Sequence, residues 1–351
     1  MNFWIPFFNG MTKDEQEDKL VVNLLGIRHR VLFRLISIIR TISIIYYFTM
    51  SWFLITILAY LLNAIAAVID KTMLKKNVLS PISYVFSIAM LGAVLILFVL
   101  PFGFTVPNLF ILIISLIAGA VFTWGLILLF QALQKDEATR TSAMIGGLVP
   151  IFVFILAWYV LEEKLTSNQY LAFIFLIVGI FLMALDFQER IIRKTLWIAL
   201  PASVLFAVSH VLTKFVYINT DFLSGFVWTR LGAFISILVL LISAKNRAII
   251  KRDFKKNKNQ PSKAKSTTFR FLFGQACGGG GAILIQYAIF LGSVTLVNAL
   301  QGAQYGFVFI LAALATLFLP KLIKETISRE IIFQKILAIL IIGIGLYLIA
   351  V

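Results

Sequence analysis

The chain has 351 residues, of which 61% are hydrophobic and 13% charged, and 33 are phenylalanine; a soluble domain, about one-quarter charged, does not absorb that much apolar surface. Apolar runs of about twenty residues point to membrane helices and exclude a membrane barrel, whose segments alternate over about ten. The net charge of +16 raises nucleic acid as a partner, but ten of the 31 basic residues fall between Lys245 and Arg270, where a cytoplasmic loop beside anionic lipid explains them and no nucleic acid is expected.

In chain order, residues 1–50 read as an N-terminal extension, interfacial or disordered. Arg34 and Arg40 interrupt its apolar part, 31–49, and an interfacial helix with both guanidinium groups snorkelled suits that pattern better than a span. Met50 opens directly into a full span and is a second candidate start. Ten spans are predicted: 51–70, 80–100, 108–131, 139–161, 168–186, 195–215, 222–243, 269–291, 295–319 and 331–350. Pro101, Pro107 and Pro320 fall at breaks. Pro150 lies inside the fourth span, where a missing N–H kinks the helix or leaves a carbonyl unpaired. The basic loop 244–268 separates the seventh and eighth spans. Cys277, the single cysteine, reads as a small packing residue.

The chain repeats itself. Phe152-Val153-Phe154-Ile155-Leu156-Ala157 recurs as Phe307-Val308-Phe309-Ile310-Leu311-Ala312, followed by Glu163-Lys164-Leu165-Thr166 against Glu325-Thr326-Ile327-Ser328 and Gly179 against Gly343. Ala64 and Lys71 match Ala207 and Lys214, and Leu91-Gly92 matches Leu231-Gly232. The order is preserved, so duplication is the economical reading. Two units of five spans, 51–186 and 195–350, place the second upside down relative to the first. The fold class expected is therefore an all-α integral membrane protein of ten helices in two inverted five-helix repeats, the architecture of alternating-access transporters.

The stretch Ala138–Ala184 resembles the EamA-like members of the drug/metabolite transporter superfamily, on Pro150, Glu162-Glu163-Lys164, Leu165-Thr166 and Gly179. The second copy departs from that pattern: Tyr305 stands at the proline position and Glu325 follows Pro320. The resemblance covers residues 51–350. It implies a secondary transporter, typically an exporter, of a small metabolite such as an amino acid, in the cytoplasmic membrane of a prokaryote, with protons or a counter-transported solute as further partners and a monomeric or homodimeric state. A membrane scaffold or lipid-handling protein is the alternative. No enzyme is expected: His29 and His210 make no metal centre, no nucleophile elbow occurs, and no cofactor or metal site is read.

Buried polar residues mark a transporter's cavity. Arg230, about eight residues into an apolar span, needs water, a partner or a ligand; ligand contact competes with snorkelling toward Asp221. Gln301, Gln304 and Tyr305 share a helical face across the predicted cavity. Asn63, His210 and Trp124 complete the substrate-binding candidates; His210 is read both as a proton carrier and as an ordinary hydrogen-bonded histidine. Pro150, Glu163, Lys71, Lys214 and Gly279 are read as gating or structural residues. Because no carboxylate falls in mid-span, a solute with an anionic or zwitterionic group is favoured over a permanent cation.

Topology has two readings. Loops after odd-numbered spans, counted with Lys335, hold twenty-two of the 31 basic residues, which puts loop 244–268 in the cytoplasm and both termini outside. The resemblance puts both termini in the cytoplasm.

Overall fold

The computed structural model describes residues 51–69, 80–134, 138–184, 193–258, 261–318 and 329–350. The N-terminal extension, Lys71, Pro320 and Glu325 lie outside the described residues, as does the loop register around Glu325 on which part of the repeat argument rests. Contacts group Trp52–Val351 into one unit, helical throughout and without a strand among the described residues.

The helices are α1 (Ser51–Ile69), α2 (Pro81–Val99), α3 (Leu109–Gln134), α4 (Ala138–Val160), α5 (Ser167–Ala184), α6 (Arg193–Asn219), α7 (Phe222–Leu240), α8 (Ala244–Lys258), α9 (Pro261–Leu291), α10 (Val294–Ala299), α11 (Gln301–Phe318) and α12 (Arg329–Ala350). A helix occupies each predicted position, with two differences. The basic loop contains α8, and the ninth predicted span is broken at Leu300 into α10 and α11. Asn298 donates to the Val294 carbonyl at 2.8 Å, side-chain competition of the kind that interrupts helices. Among the described residues seven helical segments are long and apolar enough to cross a membrane, Val294–Leu314 being counted as one across the break at Leu300, while Met144–Val160 and Ser167–Met183 are shorter apolar helices. The shortfall against ten has a compositional cause: α4 opens on Thr139-Arg140-Thr141-Ser142, and α9 carries Lys263, Lys265, Arg270 and four consecutive glycines.

Local chemistry sets the helix ends. Asn108 accepts from the Ile111 N–H at 2.9 Å, and Asp221 accepts from the Ser224 N–H at 2.9 Å, each satisfying an amide that the helix start leaves open. At α5 the Leu165-Thr166 motif is half of a reciprocal cap: the Thr166 N–H donates to Gln169 Oε1 at 2.9 Å, and the Gln169 N–H donates to Thr166 Oγ1 at 3.4 Å. The preceding helix, α4, closes on Glu162 at φ 52°, while the Glu163 N–H reaches back to the Ala157 carbonyl at 3.2 Å. A left-handed residue that ends a helix is ordinarily glycine. Glu162→Gly is therefore expected to raise thermal stability in detergent by roughly 1 kcal/mol, read as an upward shift of the unfolding midpoint; a lower midpoint would remove this account.

Helices meet through small residues and hydroxyl-to-carbonyl bonds, the means available where lipid supplies no hydrophobic drive. A Cβ on Gly119 of α3 would lie 1.9 Å from the Thr229 carbonyl oxygen, and one on Gly232 of α7 would lie 2.3 Å from that of Leu116. The backbones of α3 and α7 thus touch at two glycines. Ser209 donates to the Ala118 carbonyl at 2.9 Å and ties α6 to α3. Tyr60 of α1 donates to the Val297 carbonyl at 2.8 Å. Large apolar side chains face outward, among them Phe98, Phe333 and Trp197, as a lipid-embedded bundle requires.

The seam between α5 and α12 is reciprocal. A Cβ on Gly179 would meet Ile342 at 2.5 Å and the Ala338 carbonyl at 3.3 Å; one on Gly345 would meet Leu176 at 2.8 Å and the Ala172 carbonyl at 3.1 Å. Ala172, Leu176 and Gly179 thus correspond, at a constant offset of 166 residues, to Ala338, Ile342 and Gly345. The two helices run antiparallel here, and the partner of Gly179 is Gly345. Gly343, the match read from the sequence, is exposed and meets nothing within 4 Å.

The helix α8 is strapped to α2. Asp253 is buried, and its Oδ2 accepts from the Ser80 N–H at 2.9 Å and from the Ser83 hydroxyl at 2.8 Å, which places a carboxylate at the N-terminus of α2. Burial pushes this carboxyl up, but the bonds from Ser80 and Ser83 and the nearby Arg252 pull harder, and the net position is below the ordinary carboxylate range. A depressed value means that the contact's stabilisation is complete above the unfolded carboxyl's pKa and is lost only as pH falls through the folded one. Protection of the α8 amides, corrected for the intrinsic pH dependence of exchange, is accordingly expected to be full above the ordinary carboxylate range and to fall only in acid below it; loss of protection near neutrality would contradict the strap.

Candidate functional site: a pocket at Arg230

The bond from Thr123 Oγ1 to the Ala233 carbonyl, at 3.4 Å, and the two glycine contacts fix α7 against α3. That packing aims Arg230 into a narrow, partly open cleft of ≈ 20 Å³, shared with α2 and α3. Val85, Ile88, Ala89, Phe122 and Leu126 form most of the wall; Arg230 is the one charged residue lining it, beside the hydroxyl of Thr123. That hydroxyl's one proton is shared between the Gly119 carbonyl at 3.1 Å and the Ala233 carbonyl at 3.4 Å. Among the described residues the guanidinium has no hydrogen bond or ion pair and lies over the Phe226 ring at 5.1 Å, a cation–π contact. Phe226 continues into an aromatic cluster through Phe222, with ring centroids 5.8 Å apart, and Phe222 meets Tyr217 and Tyr287. Asp221, toward which snorkelling was one reading, is engaged in capping α7. A part-buried arginine with only a ring face as partner presents its donor fork to whatever enters the pocket.

The other predicted residues are dispersed. Tyr305 of α11 packs on α4, where a Cβ on Gly146 would run into its hydroxyl; Gly146 is the residue whose carbonyl loses its helical partner through Pro150. Gln301 and Gln304 lie on the same helix, part-buried, and none of these three residues lines the Arg230 pocket. His210 pairs with Asn298 at 2.6 Å between the rings of Phe122 and Phe206. The Asn298 amide nitrogen donates to Val294, so its oxygen faces the imidazole and His210 Nδ1 carries the proton. Asn63 faces Gly281; Gly279, two residues earlier, meets nothing within 4 Å. Trp124 is exposed.

Lys214 donates to three carbonyls at the end of α9: Ile289 at 2.8 Å, Phe290 at 3.3 Å and Gly292 at 2.7 Å. A cation there complements the negative end of the helix. Glu163 Oε2 accepts from the Thr295 hydroxyl at 3.2 Å, and its buried Oε1 has no hydrogen-bond partner among the described residues. Together these contacts join α4, α6, α9 and α10.

Asp253 was not singled out from the sequence, although it is the one acid between Lys245 and Arg270. Phe226 lies four residues before Arg230, one helical turn away, and that spacing was the available signal.

With these positions fixed, the sequence separates into a recognisable part and the rest. Residues 50–185 match the EamA-like transporter family. That family is part of the drug/metabolite transporter superfamily. The EamA-like segment ends with α5, the last helix of the first predicted repeat. The match covers 136 of the 351 residues, and with the apolar helices it supports a multi-pass membrane protein that shares a segment with this transporter family. No curated protein matches the chain. A crystal structure of another protein superposes with a TM-score of 0.56 at 15% identity, over 84% of this chain and 96% of that one; the likeness is one of fold.

Proposed function

We propose that this EamA-like chain is a secondary transporter, working as an exporter by alternating access, for a small metabolite with an anionic or zwitterionic group. The unpaired guanidinium of Arg230 in an otherwise apolar pocket carries the reading. Holding an arginine in an apolar span without a counter-ion is costly, and a solute carboxylate or phosphate relieves that cost through paired charge-assisted bonds. The reciprocal seam of α5 and α12 supports two inverted five-helix halves, 51–186 and 195–350, as the scaffold whose rocking exposes the site to each side in turn. In this reading Lys214, with Glu163 and Thr295, closes the end of the bundle opposite α8.

The test is exchange in proteoliposomes loaded with a panel of amino acids, organic acids, phosphorylated sugars, nucleotide-sugars and cations. Saturable movement of an anionic or zwitterionic solute is expected. Movement of a permanent cation alone would sink the reading.

A further inference from the structure

The exposed side of α8 carries Lys245, Lys251, Arg252 and Lys255. Lys251 and Lys255 are one turn apart, with Arg252 beside them, so three of these cations form a single stripe. Arg247 is already engaged, donating to the Leu241 and Ile242 carbonyls at the end of α7 at 3.2 and 3.3 Å. The one acid on the helix, Asp253, is buried at the start of α2 and pairs with Arg252 at 3.4 Å, so within the helix it neutralises one cation of the stripe and leaves Lys251 and Lys255 to the surface. The level of α8 is also fixed. Ser80 immediately precedes an apolar span, so the carboxylate bonded to it sits where that span leaves the hydrocarbon, at headgroup depth. Phe254, 44% exposed, rests edge-on against Phe86 in the second turn of α2 with centroids 6.3 Å apart, so α8 turns an apolar ring toward the span and its cations elsewhere, as an interfacial helix does. The cations, the depth and the aromatic match one surface, the headgroup layer of an anionic leaflet.

We propose that α8 is a docking surface for anionic phospholipid headgroups, and that Asp253 transmits this contact to α2, the helix that supplies much of the Arg230 pocket. Exposed cations at headgroup level, Lys251 and Lys255 with the 73%-exposed Arg252, gain counter-charge in an anionic leaflet and none in a neutral one. Because the carboxylate holds Ser80 and Ser83 directly, restraint of α8 restrains the first turn of α2.

The experiment compares amide exchange of the full chain in nanodiscs of phosphatidylcholine with that in nanodiscs of three parts phosphatidylcholine to one of phosphatidylglycerol, at low and high salt. In the parent, exchange in α8 and in the first turn of α2 should slow in the anionic discs and recover at high salt. Lys251→Gln/Arg252→Gln/Lys255→Gln should lose most of the slowing, at roughly five-fold in lipid association per cation removed. Asp253→Asn should keep the slowing in α8 and lose it in α2. Equal exchange of the parent in both discs would overturn the proposal, as would a triple variant that responds like the parent. Slowing by soluble polyphosphate in neutral discs, without a response to phosphatidylglycerol, would assign the stripe to a soluble polyanion and overturn it equally. Loss of the α8 response in Asp253→Asn, when its α8 is as protected as the parent's in neutral discs, would overturn the assigned role of Asp253.

Discussion

Arg230→Gln is expected to cut transport of an anionic or zwitterionic solute by about 10- to 100-fold, the value of a charge-assisted hydrogen bond lost from a substrate. The substitution keeps a polar amide of similar reach and removes the charge. It should leave membrane insertion intact and the unfolding midpoint unchanged or higher, because an arginine in an apolar wall is costly when the pocket is empty. Loss of activity with no loss of stability separates a ligand-binding arginine from a structural one. Arg230→Lys should recover less than its charge would suggest, since an ammonium lacks the planar fork and packs less well on the Phe226 face. Proteoliposome exchange across a concentration series, beside thermal unfolding of the same preparations, checks both points. Undiminished transport in Arg230→Gln would move the substrate to another part of the bundle.

The second large effect is on assembly. Gly119→Ala and Gly232→Ala each place a methyl group inside the opposing backbone, 1.9 Å from the Thr229 oxygen and 2.3 Å from the Leu116 oxygen. Neither neighbour is a side chain able to swing away, so α3 and α7 must separate. The cost belongs at the upper end of the roughly 1–3 kcal/mol typical of overpacking. Gly279→Ala and Gly343→Ala are matched controls in open space, and alanine there should be neutral or gain about 0.5–1 kcal/mol from helix propensity. Thermal unfolding in detergent orders the four variants. If Gly119→Ala melts with the controls, the close approach of α3 and α7 is not what holds them.

Much of this was legible in advance because lipid simplifies the code: an apolar run long enough to cross has few options besides a helix. Arg230 was legible for the same reason, a charge standing out against hydrocarbon-length sequence. Its surroundings were not. Phe226 is a ring among thirty-three phenylalanines, and only coordinates show which one lies under the guanidinium. The face shared by Gln301, Gln304 and Tyr305 follows from helical spacing, but the direction in which it looks depends on how α11 is rotated, which spacing does not set. The match of Gly179 with Gly343 failed by two residues because apolar letters repeat too freely to fix a register; the contacts with Ile342 and Leu176 fix it instead. Asp253 was hidden by its neighbours, since ten like charges read as one solvated block until a helix turns a single member inward.

The seam between α5 and α12 has no polarity. Each strip of Ala, a branched aliphatic and Gly rests on the other's version of itself, as identical molecules do when they meet about a two-fold axis. A polypeptide severed between α5 and α6 would keep this joint whole, one strip on each fragment. The direction in which the strips meet is thus set by their own shapes, and the connection between α5 and α6 adds nothing to it.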